Sequence, residues 1–279
     1  MKKITYLLLV LVLTSCLKEE LDSIPIYLKI DSIALNEENT TSNISDAWVY
    51  INGQLQGVYE LPSRFPVLEQ GNTKIKVYAG IKNNGIASDR VKYPFYYSDT
   101  INEVFSINST IKINPEVAIK ENIDGQFDDL ENGYSFNFDT CFQLQYDGPY
   151  GKYGSLSLSD SDSILITEIN YKEFPLNFNN VPQQGSPTYM ELDYRSNTSF
   201  LAGMYINFPN STTVEKELLW INSKEDWNKI YIDLTDAVSE AVGAESFSIF
   251  IKMMRDNNFE ENKLDFDNIR IIHYKKTLN

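Results

Sequence analysis

Asp46-Ala-Trp-Val-Tyr-Ile-Asn-Gly-Gln-Leu-Gln-Gly-Val-Tyr59 is the stretch of sequence that decides the fold class. Its Asn52-Gly53 pair stands between two runs of alternating residues, and this is the strongest short-range signal for a β-hairpin. We expect Val49 and Ile51 on one face of the first strand, because successive side chains of a strand point to opposite faces. The stretch therefore predicts sheet structure.

The rest of the chain carries the same signature. Its 18 tyrosines and 15 phenylalanines favour pleated sheets, and Asn, Ser and Asp fill the intervals between apolar runs, where turns are expected. The best helical candidate is short, Thr235 to Val242, and it stops before Gly243. We therefore predict an all-β protein, with a small β-sandwich followed by a larger two-sheet jelly roll.

Residues 26–120 are expected to form the small, Ig-like sandwich. The predicted hairpin is followed by Leu61-Pro62, by Phe65-Pro-Val-Leu68, and by Gly71 ahead of an alternating strand. This order resembles PEGA-type and carboxypeptidase-regulatory-like surface domains, except that Phe-Pro-Val-Leu replaces the usual Thr-Pro corner. The resemblance implies a spacer or docking module without catalysis. Tyr93-Pro-Phe-Tyr-Tyr97 is either an exposed aromatic patch or, the interpretation we favour, a core or inter-domain contact.

An acidic, turn-rich segment from Lys120 to Gly133 marks the expected boundary with a second domain, residues 121–279. Strands at regular spacing are predicted beyond it: Tyr134 to Phe142, Gly154 to Ser159, Ile164 to Ile169, Tyr189 to Tyr194, Met204 to Phe208, Lys216 to Ile221, Ile230 to Leu234, Phe247 to Met253 and Leu264 to Tyr274. Leu264-Asp-Phe-Asp-Asn-Ile-Arg-Ile271 and the glycine-led Tyr153-Gly-Ser-Leu-Ser-Leu158 resemble strands of jelly-roll carbohydrate-binding modules. The resemblance implies glycan binding, although shared architecture alone does not identify a ligand.

The first residues of the chain indicate where the protein is sent. Lys2 and Lys3 precede an apolar run that is far shorter than the roughly 20 residues needed to cross a bilayer, so residues 1–15 are interpreted as an export signal. Leu13-Thr-Ser-Cys16 resembles the lipobox of bacterial lipoproteins, and Lys18-Glu-Glu20 resembles the surface-export signal of Bacteroidetes lipoproteins. The resemblance implies that Cys16 is acylated, that residues 16–25 form a tether, and that the protein faces outward from the outer membrane. The alternative for the Lys-Glu-Glu triplet is a tether that is merely polar.

Composition excludes several classes of function. The formal net charge of −15 repels phosphate backbones and argues against nucleic-acid binding. Only two cysteines are present, and with Cys16 acylated, Cys141 has no partner for a disulfide. The single histidine, His273, excludes multi-His zinc sites, and the chain has no Gly-x-Ser-x-Gly, no His-Glu-x-x-His and no glycine-rich phosphate loop. We therefore expect no enzyme.

The candidate ligand site is the glycine-rich loop Tyr146-Asp-Gly-Pro-Tyr-Gly-Lys-Tyr153. Sugar recognition uses flat aromatic faces together with planar polar side chains. The sequence predicts that Tyr146, Asp147, Tyr150 and Tyr153 contact the ligand. The equal alternative is that these tyrosines cover a sheet edge. Trp227 matches a position that is structural in the resembled modules and is not expected to bind sugar.

Asp267 is a candidate metal ligand. Strict alternation places it with Ile269 and Ile271 on the apolar side of its strand, where a carboxylate requires a partner. The resembled modules often hold a structural calcium near their final strand, which implies Asp129 and Asp267 as ligands, with Asp128 and Glu131 close by; oxygen ligands suit this ion. A hydrogen bond from the backbone or from Arg255 is the competing explanation.

Glu191 and Asp193 are the one carboxylate pair that favours an enzyme. They share a face of a predicted strand at roughly 6.5–7 Å, which is the low end of the separation in inverting glycosidases. The alternative is that they belong to a polar outer face. The function predicted from sequence is therefore a non-catalytic, membrane-anchored lipoprotein that binds extracellular glycan through its jelly roll. The alternatives are a structural or docking subunit of an outer-membrane surface complex, which binds an envelope protein, and a cryptic glycoside hydrolase.

Overall fold

A computed structural model describes residues 24–37, 40–128, 130, 142–159, 163–169 and 181–276. The described chain is almost entirely β, which confirms the predicted fold class. Within these residues no helix combines the length and the apolar character needed to cross a membrane.

The strands follow one another with short connections and one short helix. In chain order the elements are β1 (Ile26–Ile30), β2 (Ala34–Leu35), β3 (Asp46–Ile51), β4 (Gln54–Glu60), β5 (Ser63–Val67), β6 (Gly71–Lys82), β7 (Arg90–Lys92), β8 (Asp99–Phe105), β9 (Thr110–Ile113), β10 (Glu116–Val117), β11 (Ile123–Asp128), β12 (Phe142–Gly148), β13 (Gly151–Leu158), β14 (Ile164–Ile169), β15 (Thr188–Ser196), β16 (Phe200–Phe208), β17 (Thr212–Ile221), β18 (Lys224–Asp233), α1 (Thr235–Glu240), β19 (Ser246–Met254) and β20 (Asn262–Tyr274).

Strands β1 to β10 form the first sandwich, in which β2 and β10 pair only with each other and the other strands form two larger sheets. One sheet has the order β5-β1-β9, and the other has the order β4-β3-β6, with β7 and β8 both pairing with β6. The predicted β3–β4 hairpin is confirmed, and both turn residues have positive φ angles, 49° at Asn52 and 87° at Gly53, as a type I′ turn requires. Val49 and Ile51 are buried on the same face, as expected from the alternation.

Strands β11 to β20 form the second sandwich. Its larger sheet has the order β12-β13-β20-β15-β18, with β11 also pairing with β20, and its smaller sheet has the order β14-β19-β16-β17. Each strand predicted from residue 154 onward overlaps an observed strand, but β16, β17 and β18 begin earlier than predicted, β18 at Lys224 and not at Ile230. β11 corrects one expectation, since it lies in the acidic segment that we interpreted as turns. The predicted strand Tyr134 to Phe142 lies outside the described residues except for its last position, where β12 begins.

A β-bulge in β20 changes which side chains face the core of the second sandwich. Glu191 pairs with Arg270 and Asp193 with Asp267, so the single residue between them on β15 opposes both Asn268 and Ile269. Asn268 has a φ of 48°, the left-handed conformation found at the first position of such bulges. The extra residue shifts the alternation by one position, and the strict alternation that placed Asp267 on the apolar side is therefore wrong.

The larger sheet of the second sandwich has one face on that sandwich's core and one face that points away from it. We call the second of these the outer face. The first sandwich covers one end of it. Tyr231 and Ile272 of this face belong to the hydrophobic core of the first sandwich. Asn83 forms a β-bridge with Tyr231, and the Asn84 side chain accepts a hydrogen bond from the Asp233 N–H at 2.8 Å. The two sandwiches therefore share a buried, hydrogen-bonded interface.

Candidate functional site

The first sandwich covers one end of the outer face and leaves the other end open. The residues of β15 run from the covered end to the open end. Tyr189 lies against the Tyr93 ring of the first sandwich, with ring centroids 5.6 Å apart, and Glu191 accepts a hydrogen bond from the Tyr93 hydroxyl. Two residues further on, Asp193 accepts a hydrogen bond from Thr41 at 2.6 Å. Arg195 lies beyond this contact, on the open end. Of the outer-face residues on β15, Arg195 is therefore the one that lies beyond the contacts with the first sandwich.

Three aromatic side chains meet on the open end, and we call Tyr150, Tyr153 and Trp227 the aromatic cluster. The Trp227 ring centroid lies 5.4 Å from that of Tyr153 and 6.4 Å from that of Tyr150, both in edge-to-face geometry. Strands β13 and β18 are separated by two other strands, a span of about 14 Å at ordinary strand spacing. The Tyr153 and Trp227 rings therefore lean toward each other across the intervening strands.

Arg195 connects the aromatic cluster to a buried carboxylate. Its guanidinium lies 5.4 Å from the Tyr153 ring centroid and 5.3 Å from that of Trp227, and it donates to the Tyr153 hydroxyl at 3.2 Å. Its Nε donates to Asp265 Oδ2 at 2.8 Å. Burial lowers the pKa of Arg195, but hydrogen bonds and charge interactions with Asp265 and, to a smaller extent, Tyr153 more than offset this and raise it. The buried carboxylate of Asp265 thus fixes the Arg195 guanidinium beside the Tyr153 and Trp227 rings.

Two amide side chains lie beside the cluster. Gln145 pairs with Tyr153 and Gln143 pairs with Ser155 across β12 and β13, so both glutamines share the outer face. The two amides contact each other at 3.4 Å. Amide groups both donate and accept hydrogen bonds, which suits them to hydroxyl-rich ligands. Tyr150 is half exposed; burial raises the pKa of its hydroxyl, and the nearby charges of Asp193 and Asp267 add to the effect.

The structure brings together only part of the predicted ligand site. Tyr150 and Tyr153 meet in the aromatic cluster, where the Tyr153 side chain is almost fully buried. Tyr146 is 72% exposed, and Asp147 is also exposed. The reasoning from sequence missed Arg195 and Asp265 and assigned Trp227 a structural role. The sequence does hold a signal for them, because each lies two residues from a charged residue on the same strand and so shares its face. These neighbours are Asp193 for Arg195, Asp267 for Asp265 and Lys229 for Trp227.

The calcium prediction is only partly covered by the structure. Asp267 lies on the outer face in register with Asp193, and its Oδ1 accepts a hydrogen bond from the Asn268 N–H at 2.7 Å. This is the backbone hydrogen bond that competed with calcium in the sequence analysis. Asp129 and Glu131 lie outside the described residues, as do Cys16 and Cys141. Across the described ranges, no three acidic, histidine or cysteine side chains are close enough to form a metal site.

Glu191 and Asp193 lie on the outer face, as the alternation predicts, but they are not exposed to solvent. Their side chains are 1% and 2% exposed because the first sandwich covers them. Lys229 Nζ lies 2.9 Å from Glu191 Oε2 and 3.9 Å from Asp193 Oδ1, and it also donates to Thr41 at 3.1 Å. A substrate cannot reach a carboxylate pair in this position, so this pair gives no support to a hydrolase.

Known proteins offer similarities only at the level of fold. No protein-family model and no curated protein matches the chain. The chain is similar to the family 30 carbohydrate-binding module of a cellulosomal cellulase from Clostridium thermocellum, with 16% identity and a TM-score of 0.35 over 50% of this chain and 82% of that one. It is also similar to a family 11 module from the same organism in complex with a mixed-linked tetrasaccharide, with 11% identity and a TM-score of 0.33 over 57% and 92%.

A family 29 module from Piromyces equi is a third similar structure, with 10% identity and a TM-score of 0.32 over 55% of this chain and 82% of that one. At these values the similarity concerns the β-sandwich fold alone. The fold and the site together define an all-β protein with two sandwiches and an aromatic cluster on the open end of one sheet.

Proposed function

We propose that this chain is a non-catalytic, lipid-anchored protein of a bacterial cell envelope that binds extracellular glycan on the open end of the outer face. The observation that carries the proposal is the aromatic cluster, whose rings lie beside the Arg195 guanidinium and the amides of Gln143 and Gln145. Aromatic rings cover the C–H faces of sugars, and charged and amide groups bind their hydroxyls.

The position of the first sandwich also bears on binding. Because it covers the end of the sheet around Tyr189 and Glu191, a glycan has access to the outer face only beyond Thr41 and Asp193. The first sandwich is then both a spacer from the membrane and one wall of the binding site. The test is a glycan array probed with the purified full-length chain in detergent. Saturable binding that Tyr150→Ala abolishes supports the proposal, and an array without any signal contradicts it.

The anchor is tested separately. The lipobox pattern at Leu13 to Cys16 and the Lys18-Glu-Glu20 triplet support acylation and export to the outer face of the outer membrane. Several acyl chains on one residue anchor a protein firmly, whereas one chain holds it only marginally. We expect the native protein in the membrane fraction, with the mass of an acylated Cys16, and Cys16→Ala in the soluble fraction. An unprocessed leader on a dissolved native protein would contradict the anchor.

A further inference from the structure

A depression of about 340 Å³ adjoins the aromatic cluster on the side away from the first sandwich. Among the residues that line it are three cations and two carboxylates: Arg195, Lys224, Lys263, Glu225 and Asp265. Arg195 belongs both to this depression and to the surroundings of the aromatic rings. The two features therefore form one continuous surface.

The charges in the depression are not equally available to a ligand. Asp265 is almost fully buried, and its two oxygens lie 2.8 Å from Arg195 Nε and 3.4 Å from Lys263 Nζ. By contrast, the Arg195 and Lys263 side chains are 38% and 41% exposed, and Lys224 is exposed as well. The cationic groups are therefore accessible to solvent, whereas the Asp265 carboxylate that orients Arg195 and Lys263 is buried. Glu225 is the one exposed carboxylate among the lining residues.

This cationic surface is unexpected in a chain whose formal net charge is −15. In such a chain a general attraction for polyanions is absent, so an anion must be bound by local groups. A guanidinium binds carboxylate or sulfate through parallel hydrogen bonds, and lysine ammonium groups add charge without fixing the orientation. Arg195, positioned by Asp265, is suited to the first role and the two lysines to the second.

We propose that the depression receives the anionic substituent of an acidic sugar, the carboxylate of a uronic acid or a sulfate ester, while the sugar ring lies on the accessible members of the aromatic cluster, Tyr150 and Trp227. This inference rests on the proposed glycan binding and names its ligand class. Because Arg195 contacts both rings and lines the depression, a sugar on the rings brings its substituent to the cations. The protein selects acidic over neutral polysaccharides.

The test is affinity gel electrophoresis of the full-length chain in detergent with three polymers. Polygalacturonate carries carboxylates only, κ-carrageenan carries sulfates only, and β-1,4-galactan is neutral. We expect at least one acidic polymer to bind about tenfold more tightly than galactan, with an affinity that falls as salt is added. The polymer that binds identifies the substituent as carboxylate or sulfate.

The double variant Lys224→Gln/Lys263→Gln is expected to lose about tenfold in affinity for the acidic polymer. Lys216→Gln/Lys252→Gln is the matched control, because it removes the same charge from the smaller sheet of the second sandwich. Equal binding of acidic and neutral polymers, or equal behaviour of the two double variants, overturns the inference and leaves glycan binding intact. No binding to any of the three polymers, together with a silent glycan array, overturns both.

Discussion

Lys229 Nζ lies 2.9 Å from Glu191 Oε2, and both side chains are buried where the first sandwich covers the outer face. Removing one member of a buried ion pair leaves an uncompensated charge and costs about 3–5 kcal/mol. Lys229→Met is therefore expected to lower the free energy of unfolding by about that amount, as measured by urea denaturation. Adding Glu191→Gln to this variant is expected to restore part of the loss.

Lys216→Met is the control for this pair. Lys216 lies 2.6 Å from Glu240, but that pair is largely exposed and its removal costs less than about 1 kcal/mol. If Lys229→Met destabilises the protein no more than Lys216→Met does, the Lys229–Glu191 pair is not buried beneath the first sandwich as described.

Three tyrosines at the same interface predict how stability changes at alkaline pH. Burial is the main reason why the pKa values of Tyr93, Tyr189 and Tyr231 are raised above 10.0, and neighbouring carboxylates add to it. The folded protein therefore binds these protons more tightly than the unfolded chain does. Their contribution to stability is complete below about pH 10 and is lost as the pH rises further.

We expect the free energy of unfolding to fall above pH 10, and the phenolate absorbance of these residues to appear only as the protein unfolds. Tyr93→Phe removes one of the three groups and is expected to make this fall shallower. It also removes the hydrogen bond to Glu191, which lowers stability at neutral pH by about 1–3 kcal/mol. An identical pH profile in the parent and Tyr93→Phe would contradict the buried position of Tyr93.

Lys92 makes cation–π contacts in the first sandwich, and we expect them to stabilise the protein. Its ammonium group lies 4.6 to 5.1 Å from the ring centroids of Trp48, Tyr50 and Tyr78. Cation–π contacts contribute about 0.5–2 kcal/mol each, depending on exposure. Lys92→Met is expected to lower the melting temperature, whereas Lys74→Met, at an exposed position of the same sheet, leaves it nearly unchanged. Equal melting temperatures for the two variants would exclude a contribution from the three rings.

Local patterns predicted most of the fold. The Asn52-Gly53 turn and the alternation in the later strands depend only on neighbouring residues, and both are confirmed. The bulge at Asn268 was not predictable in this way. One extra residue in β20 exchanges the side chains that face the core with those that face outward, and the local sequence still has the composition of an ordinary strand. β11 was missed because Asp124 and Gly125 favour turns, and only pairing with β20 makes this segment a strand.

The candidate site was harder to predict than the fold. Alternation marked Glu191 and Asp193 as a polar face, but it could not show that the first sandwich covers that face. Tyr150 and Tyr153 were predicted because they are close in sequence. Trp227 joins them from a strand more than 70 residues away, and Arg195 lies between them only because β15 and β20 separate β13 from β18.

The most direct test of glycan binding compares two tryptophan variants on the same glycan array. Trp227 belongs to the aromatic cluster, whereas Trp220 is 48% exposed on β17, in the smaller sheet of the second sandwich. Loss of a large apolar contact costs about 1.5–3 kcal/mol, or roughly 10- to 100-fold in affinity. We expect Trp227→Ala to lose binding by this factor and Trp220→Ala to bind like the parent. Unchanged binding in Trp227→Ala, or an equal loss in Trp220→Ala, would contradict the proposed site.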